Sequence, residues 1–441
     1  MPGISKGAFQ RQHSFCGITT HMRKFVPTLG AVVLLSVTAL AQGKRLWVLR
    51  ASGELVEYDS ASFAQKQTVK LPAEAGQAPQ EVQVNSDGQI LYVPEVSLPL
   101  ADSDIKAPPK AWLWNGHAAV EIDLGVKHDV ESTGSNQAVT ETAPSVYLSL
   151  AGNHLYWFAN QERRLEREDV DLSATTTWQA WQTDLNGGNR EDVASVKLPE
   201  CSCPTGACEE SCPVGTVWAP EHGIESFFLM TQFVSGKDQP SYKASAQYRQ
   251  DGGKWTQNVL SQPLRRILDV SADAGLVVEA IPDTGCCGWS NQSDDQTLVR
   301  ASGKTFTVFD ELASYKNPDY DVSFYTSNAK LTPDNKSIAM TIVATAQSNQ
   351  PIQQSQQGQA NPEESRQIRK ALTELPAVEI KSVEEAPRRI AFLPHATLVG
   401  WINEKDLLIV ENHLLVVYEV GAGVKRKSNV SVDEASAVFL R

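Results

Sequence analysis

The sequence predicts an all-β fold built from repeated antiparallel strand units, and three observations support this prediction. Short apolar segments are separated by turns along most of the chain, as in residues 46–49 and 55–58 on either side of Ser52-Gly53. One phrase recurs in altered form, namely an apolar strand, a turn rich in Ser, Asp, Asn or Gly, and a second apolar strand. Second hairpins lie between these phrases, so each unit contains more than two strands.

The recurring phrase favours strand–turn–strand structure through its residue types. Asp-Gly and Asp-Asn pairs suit tight turns because they tolerate a positive φ with little strain. The β-branched and aromatic residues that flank them favour half-buried strands. The phrase occurs at residues 82–93, 148–157, 268–278, 329–340 and 398–410.

The second hairpin is clearest at residues 177–198, where one strand runs from Trp178 to Asp184, a turn follows at Asn186-Gly187, and a second strand returns. Two hairpins per unit make a four-stranded sheet, and repetition of such units at an irregular period is typical of a β-propeller. Units that begin near residues 45, 80, 145, 215, 265, 322 and 395 predict about seven blades. Six or eight blades are the alternatives, because ring closure at the termini is not visible in a sequence.

Two of the phrases resemble a known repeat. Residues 331–339, Leu-Thr-Pro-Asp-Asn-Lys-Ser-Ile-Ala, resemble the Ser-Pro-Asp-Gly-Lys-x-Ile-Ala phrase of WD40-like, TolB-type propeller repeats, and residues 86–91 are a poorer match. The resemblance implies a propeller whose inner strands line a central channel. TolB carries an α/β domain before its propeller, whereas strands begin here directly after residue 41, so only architecture is carried over.

The first 41 residues predict export. Residues 22–41 have the pattern of a signal peptide, with a basic start at Arg23-Lys24, an uncharged apolar run over 25–40, and a cleavage site at Ala39-Leu40-Ala41. Residues 1–21 fit no part of this pattern and are interpreted as an over-extended start. The mature chain then spans residues 42–441 in the periplasm or outside the cell. An uncleaved anchor is the alternative.

The charge of the chain excludes some partners. The formal net charge is −13 at pH 7, and the predicted signal segment carries basic residues and no acid, so the mature chain is more acidic still. An acidic surface argues against nucleic acid and anionic membranes as partners. After the signal peptide no apolar run reaches the length of about 18–20 residues that a transmembrane helix requires.

A disordered and helical insertion is predicted at about residues 346–386. Residues 347–359 are rich in Gln, Asn and Ser without hydrophobic periodicity, which favours an irregular excursion. Asn361, Pro362 and Glu364 then form a helix start, and apolar residues at helical spacing predict a short helix from about Pro362 to Leu375.

The mature chain contains six cysteines, and we expect them to form disulfides. The even count and the oxidising compartment favour disulfides, and the C-x-C-x4-C-x3-C spacing of the first four matches neither common zinc pairs nor ferredoxin loops. A metal site is the alternative. At least one bridge is expected between the loop of the first four cysteines and the pair that follows. The six residues are Cys201, Cys203, Cys208, Cys212, Cys286 and Cys287.

A polar run at residues 285–297 is a candidate ligand loop. It combines an aromatic ring that could stack on a sugar, an amide and two carboxylates, in Trp289, Asn291, Asp294 and Asp295. A long inter-strand loop explains the same composition, because loop tips are polar by default. Among the ten tryptophans, Trp178 and Trp181 differ in strand parity, so one of the two is expected to be exposed.

No catalytic, cofactor-binding or metal-binding residue emerges from the sequence. No histidine has H-E-x-x-H spacing, and no G-x-S-x-G nucleophile motif occurs. The sequence therefore favours an exported, non-catalytic β-propeller that serves as a scaffold for an unknown protein or glycan, without a cofactor. The alternative is a propeller enzyme acting on glycans or cell-envelope polymers, which would gather at least two acids and a His or Arg at the central channel.

Overall fold

The structure, a computed structural model, describes the chain from Lys44 to Arg441 with gaps. The residues outside this description are 1–43, 51, 72–78, 95–109, 168–169, 203–212, 220–225, 236–237, 283–293, 302, 312–321, 347–369, 371 and 434–436. All described residues belong to one compact unit, Gly43–Arg441. The second unit, Met1–Gln42, contains the predicted signal peptide and lies outside the described residues, so its cleavage stays a prediction.

The described residues form 31 strands in seven antiparallel sheets, which we number as blades in chain order. Six sheets have four strands, and the seventh has a four-stranded blade with three additional strands. This arrangement confirms the predicted all-β, seven-bladed β-propeller.

The first three blades contain β1–β14 and the last strand, β31. Blade 1 comprises β31 (Ala437–Leu440), β1 (Arg45–Leu49), β2 (Glu54–Asp59) and β3 (Gln65–Lys70). Blade 2 comprises β4 (Pro79–Val84), β5 (Ile90–Pro94), β6 (Lys110–Trp114) and β7 (Ala119–Asp123). Blade 3 comprises β10 (Ser145–Leu148), β11 (Leu155–Arg167), β12 (Val170–Thr183) and β13 (Glu191–Lys197). Its sheet also includes β8 (Lys127–Thr133), β9 (Asn136–Thr142) and β14 (Cys201–Ser202).

The remaining four blades each consist of four consecutive strands. Blade 4 comprises β15 (Pro213–Trp218), β16 (Ser226–Ser235), β17 (Asp238–Asp251) and β18 (Lys254–Val259). Blade 5 comprises β19 (Arg266–Val270), β20 (Leu276–Pro282), β21 (Asp294–Ala301) and β22 (Lys304–Asp310). Blade 6 comprises β23 (Val322–Leu331), β24 (Ser337–Ala346), β25 (Ala377–Ser382) and β26 (Arg389–Pro394). Blade 7 comprises β27 (Ala396–Trp401), β28 (Asp406–Glu411), β29 (Leu414–Glu419) and β30 (Gly423–Ser431).

The two ends of the chain share blade 1. The last strand, β31, pairs with β1 in antiparallel register, with Leu440 opposite Leu46 and Ala437 opposite Leu49. Arg45 and Arg441 exchange both backbone hydrogen bonds at the end of this ladder. The ring of blades is therefore closed by backbone pairing between the N-terminal and C-terminal parts of the described chain.

Hydrophobic clusters lie between the blades rather than within them. Seven clusters occur among the described residues, and each joins one neighbouring pair, including blade 7 with blade 1. Between blades 3 and 4, for example, Trp178 packs with Phe227 and Tyr248, whose rings are stacked at 4.8 Å. Because burial of apolar surface stabilises by about 25 cal/mol per Å², these contacts hold neighbouring blades together around the whole ring.

The predicted repeat boundaries agree with the first strand of each blade. The seven innermost strands include six that begin within two residues of a predicted unit start, at Pro79, Ser145, Pro213, Arg266, Val322 and Ala396. Each recurring phrase is the hairpin of the first two strands of one blade. The predicted hairpin at residues 177–198 is β12 and β13.

The C-terminal part of the insertion predicted for blade 6 is a strand. The sequence analysis extended it to about residue 386, but β25 already pairs with β24 from Ala377. The run Ala-Val-Glu-Ile-Lys-Ser has the apolar pattern of a buried strand, and its first four residues are buried. Lys370 and residues 372–374 are helical, while the rest of the predicted helix and residues 347–359 lie outside the described residues.

The two tryptophans of β12 differ less than predicted. Trp178 is buried, whereas Trp181 is half-buried and stacks on Trp157 with ring centroids 6.0 Å apart. The guanidinium of Arg190 covers Trp181 at 4.2 Å from the ring centroid. Neither ring is fully exposed, because a neighbouring side chain shields the outward-facing one.

Within the described part of the chain, no helix is both long and apolar enough to cross a membrane.

Candidate functional site

A cavity of about 370 Å³ lies where the innermost strands of four neighbouring blades end. It is formed at the C-terminal ends of the inner strands of blades 5, 6, 7 and 1, and in blades 5 to 7 these strands enter their first turns there. We call it the turn-end cavity. Its charged lining residues are Lys44, Asp269, Lys330 and Arg441.

Hydrogen-bonded side chains fix the turns that border this cavity. In blade 5 the hydroxyl of Ser271 accepts a hydrogen bond from the backbone N–H of Leu276 at 2.8 Å. In blade 6 the hydroxyl of Thr332 accepts one from Ser337 at 3.0 Å. The residue before the end of each turn, Ala274 or Asn335, has a positive φ. The recurring Ser/Thr-x-Asp sequence thus places the ends of the inner strands in the same way in both blades.

Asp269 lies two residues before the turn residue Ser271, and Gln83 has the same position in blade 2, before Asn85. Both side chains accept a hydrogen bond from the inner strand of the next blade. Gln83 Oε1 accepts from Leu148 N–H at 2.7 Å, and Asp269 Oδ2 accepts from Leu331 N–H at 2.8 Å. A neutral amide therefore makes this inter-blade link in blade 2, and a carboxylate makes it in blade 5.

The carboxylate of Asp269 is also paired with a lysine. Lys330 Nζ lies 3.6 Å from Asp269 Oδ1. Burial raises the pKa of Asp269 above its ordinary value, although Lys330 and the backbone N–H groups of Leu331 and Val270 act in the opposite direction. Burial disfavours the charged form of an acid and hydrogen-bond donors favour it, so the desolvation of Asp269 exceeds its local compensation.

Lys44 contributes a second cation to the lining. Its ammonium donates a hydrogen bond to the backbone carbonyl of Trp401 in blade 7 at 2.8 Å. Burial lowers the pKa of Lys44, the positive charges of Arg441 and Lys330 lower it further, and Asp269 raises it. The carbonyl is a neutral acceptor, so this hydrogen bond leaves the charge of Lys44 uncompensated.

Gly400 leaves space in blade 7. It occupies the position that Lys330 has in blade 6 and Asp269 has in blade 5. A Cβ atom built on it would meet one atom within 4 Å, Leu440 Cδ2 of blade 1, at an ordinary contact distance of 3.6 Å. Its φ is not in the left-handed region, so the backbone does not require glycine here. The missing side chain opens the cavity between blades 7 and 1.

The charge of the turn-end cavity is opposite to that of the whole chain. Its lining includes three cationic side chains and one acidic side chain, whereas the chain has a net charge of −13. Clefts lined by one sign of charge concentrate ligands of the opposite sign. Asp269 is the one acidic side chain among the described lining residues.

A second cavity of about 620 Å³ lies at the opposite end of the same inner strands. Val399 and Val438 line both cavities. The second cavity also includes His395, His413 and Asp433. Within the described part of the chain, no group of three or more His, Cys, Asp or Glu side chains is arranged to hold a metal ion.

A third cavity of about 340 Å³ lies beside blade 3 and is lined by Trp157, Trp181 and Arg190. Trp157 and Arg190 contact Trp181, and Trp157 donates a hydrogen bond to Thr183 at 2.9 Å. A sugar could stack on Trp181 only after one of these neighbours moved. We therefore assign the aromatic contacts of this cavity to packing.

The site residues predicted from sequence remain largely untested. Cys201 is the first residue of β14, but its side chain and the other five cysteines lie outside the description. Trp289 and Asn291 also lie outside the described residues. Asp294 and Asp295 begin β21, and their side chains are not described.

The residues of the turn-end cavity were missed by the sequence analysis, although a signal was present. Asp269 and Lys330 each interrupt the apolar inner strand of a recurring phrase, in Leu-Asp-Val and Ala-Lys-Leu. Alignment of the phrases places both at the same position and Gly400 in the next blade. Lys44 and Arg441 give no such signal, because ring closure alone brings them to the same cavity.

Comparison with known proteins leaves the family open. No family model matches the chain, and no curated protein matches it. Apo AztD from Citrobacter koseri is similar over 90% of this chain and 98% of its own length, with 8% identity and a TM-score of 0.38. The fission yeast SREBP–SCAP binding domains cover 97% of this chain and 100% of their own, with 11% identity and a TM-score of 0.29. At these scores the matches support no functional inference, and the TolB-type resemblance rests on its motif alone.

Proposed function

We propose that the chain is an exported, non-catalytic β-propeller scaffold that binds a glycan at the turn-end cavity. The observation that carries this proposal is the convergence of charged side chains from three blades on one cavity. Asp269 is held there at an electrostatic cost, since burial raises its pKa, and the positive charges of Arg441 and Lys330 help to lower the pKa of Lys44. Perturbed ionisable groups in a concave site are typical of functional sites.

The dimensions favour a glycan over a protein. A cavity of about 370 Å³ falls in the range of small-ligand sites, which is about 300–1,000 Å³. A stable protein interface instead requires about 800 Å² on each partner. The large exposed hydrophobic residues in the described part, such as Val130, Val259 and Val424, are scattered over different blades and none lines the cavity.

A non-catalytic role is favoured over the enzyme alternative by the chemistry of the lining. Glycoside hydrolysis usually requires two carboxyl groups on opposite sides of the scissile bond. Asp269 is the one acidic side chain among the described lining residues, and it already interacts with Lys330 and with Leu331 N–H.

The experiment is a binding screen with a turnover control. Mature protein secreted by an exporting host is sequenced from its N-terminus, where Gln42 is expected, and is applied to arrays of cell-envelope glycans and peptides. Each glycan that binds is then incubated with the protein and analysed by mass spectrometry. The proposal expects bound glycans to stay intact, whereas cleavage products would support the enzyme. Binding to peptides alone would replace the glycan by a protein partner.

A further inference from the structure

We infer that the turn-end cavity recognises an acidic sugar, with the sugar carboxylate bound by Lys44 beside Arg441 and a sugar hydroxyl bound by Asp269. This inference rests on the proposed function and specifies its ligand. It follows from the charge, the hydrogen-bonding capacity and the open space of the cavity.

The carboxylate is assigned to Lys44 because of the partners that the cations have. Lys330 faces Asp269 at 3.6 Å, so their charges compensate each other. Lys44 donates to a backbone carbonyl, which compensates no charge, and an ammonium has three donors. Arg441 lines the same cavity and acts on Lys44 as a neighbouring positive charge. One carboxylate placed beside Lys44 would be bound by a charge-assisted hydrogen bond, and the positive charge of Arg441 would add to the attraction.

The hydroxyl groups are assigned to Asp269. A carboxylate has about four acceptor positions. Leu331 N–H occupies one at 2.8 Å, Lys330 lies beside the other oxygen, and Val270 N–H is a further donor. The remaining capacity can accept a hydrogen bond from a sugar hydroxyl. The same negative charge repels a second carboxylate, so a ligand with one acid group and several hydroxyls fits better than a dicarboxylate.

Space for the sugar ring is provided by Gly400. It lacks the side chain that Lys330 and Asp269 have at the equivalent position, and a Cβ there would have open space apart from Leu440 Cδ2 at 3.6 Å. Leu440, whose Cδ2 atom faces this gap, also lines the cavity. An apolar side chain beside charged groups matches a sugar, which has both C–H faces and polar edges.

The probes are D-galacturonate, D-glucuronate, the neutral sugars D-galactose and D-glucose, and succinate, measured by isothermal titration calorimetry on the mature protein at low ionic strength. We expect at least one sugar acid to bind, and its affinity should fall as salt is added. The neutral counterpart of that sugar and succinate should each bind with an affinity at least about tenfold lower. Lys44→Met should lower the affinity for the sugar acid at least about tenfold. Lys405→Met is the matched control, because Lys405 is exposed in the first turn of blade 7 and does not line the cavity.

Each other outcome rejects the inference in a distinguishable way. If the sugar acid and the neutral sugar bind equally, the ligand carboxylate contributes nothing to recognition. If succinate binds as tightly as the sugar acid, the sugar hydroxyls contribute nothing. Unchanged binding by Lys44→Met, with unfolding temperature unchanged, would place the anion elsewhere. If no sugar acid binds while the glycan array gives another ligand, the inference fails and the proposed function stands. If no glycan binds at all, both fail.

Discussion

Gln83 in blade 2 and Asp269 in blade 5 have equivalent positions but differ in charge. Gln83 is fully buried, and its amide both accepts from Leu148 N–H and donates to the Val146 carbonyl, at 2.7 and 2.8 Å. The link between blades therefore requires an acceptor but no charge. The link does not explain the charge of Asp269, and this difference favours a function for the carboxylate in blade 5.

Replacement of Gln83 tests the value of the inter-blade link. Gln83→Leu leaves the backbone N–H of Leu148 and the carbonyl of Val146 without their partner. We expect a loss of about 2–4 kcal/mol in the free energy of unfolding, since each unsatisfied buried group costs about 1–3 kcal/mol. This loss in the free energy of unfolding is measured by urea denaturation. Gln257→Leu, at an exposed residue of β18, is the control and should change stability by less than about 0.5 kcal/mol. Equal effects of both substitutions would contradict the role of the link.

The pKa of Asp269 makes a second prediction at this scale. Because burial raises the pKa of Asp269 in the folded chain, the folded state binds this proton more tightly than the unfolded state does. The contribution of Asp269 to stability is then most favourable at acid pH and is lost as pH rises from about 3.8 through the folded-state pKa. Asp269→Asn removes this dependence and keeps an acceptor for Leu331 N–H.

The measurement compares the two proteins by urea denaturation between pH 4 and pH 7. We expect the stability of Asp269→Asn relative to the parent protein to rise with pH over this interval. A relative stability that falls with pH would mean that Lys330 lowers the pKa of Asp269 more than burial raises it. In that case the carboxylate would be a stabilising ion pair, and the electrostatic argument for a binding role would be lost.

At the level of elements, the closure of the ring depends on the short strand β31. Arg45 and Arg441 exchange both backbone hydrogen bonds, so in an antiparallel ladder the next such pairs are Trp47 with Phe439 and Leu49 with Ala437. Val438 lies opposite Val48, in a pair that exchanges no backbone hydrogen bond. In β31, the N–H group of Ala437 therefore bonds to β1, whereas the N–H group of Val438 does not.

Proline substitution separates these two kinds of position. Ala437→Pro removes a ladder donor and leaves the carbonyl of buried Leu49 without its partner. We expect it to lower the free energy of unfolding by about 1–3 kcal/mol. Val438→Pro is the matched control, and its effect should be clearly smaller because its N–H does not bond to β1. Thermal unfolding followed by circular dichroism measures both, and a smaller effect at Ala437 than at Val438 would contradict the register of β31.

The strand units could be predicted because their turns and apolar strands are local signals. Val-Gln-Val-Asn-Ser-Asp-Gly before Ile90 predicts a hairpin without tertiary information, and the structure has β4 and β5 there. The hairpin of β8 and β9 was missed because its strand residues, Lys-His-Asp-Val-Glu-Ser-Thr in β8, are mostly polar. It is held instead by cross-strand pairs, with Glu141 bonded to His128 at 3.1 Å and to Arg164 at 2.8 Å. Such pairs become recognisable only when the strand partners are known.

For the molecule as a whole, the candidate site could not be predicted from the sequence because its parts are far apart in the chain. Lys44 and Arg441 lie at opposite ends of the described chain and line one cavity together. Asp269 and Lys330 come from two further blades. Spacing in the sequence carries no information about such a cavity, whereas the count of blades, which fixes which strands meet, was predicted from repeats.

The cysteines provide a prediction for the whole molecule. Four of the six are in the sequence between β13 and β15, and Cys286 and Cys287 fall between β20 and β21 of blade 5. We expect a disulfide between these two regions, which in the chain-entropy model stabilises by about 4 kcal/mol. Mass spectrometry of peptides from non-reduced mature protein identifies the pairs. Six free thiols, or stoichiometric zinc or iron, would contradict the disulfides and favour the metal alternative.

The placement of ligand binding at the turn-end cavity is tested most directly by filling the gap at Gly400. The glycan array is repeated with Gly400→Met, whose flexible side chain would enter the cavity, and with Gly400→Ala, whose Cβ meets Leu440 at an ordinary 3.6 Å. With unfolding temperatures equal to that of the parent protein, we expect Gly400→Met to abolish every glycan signal and Gly400→Ala to weaken it. Glycan signals that persist unchanged in folded Gly400→Met would show that the ligand binds elsewhere on the propeller.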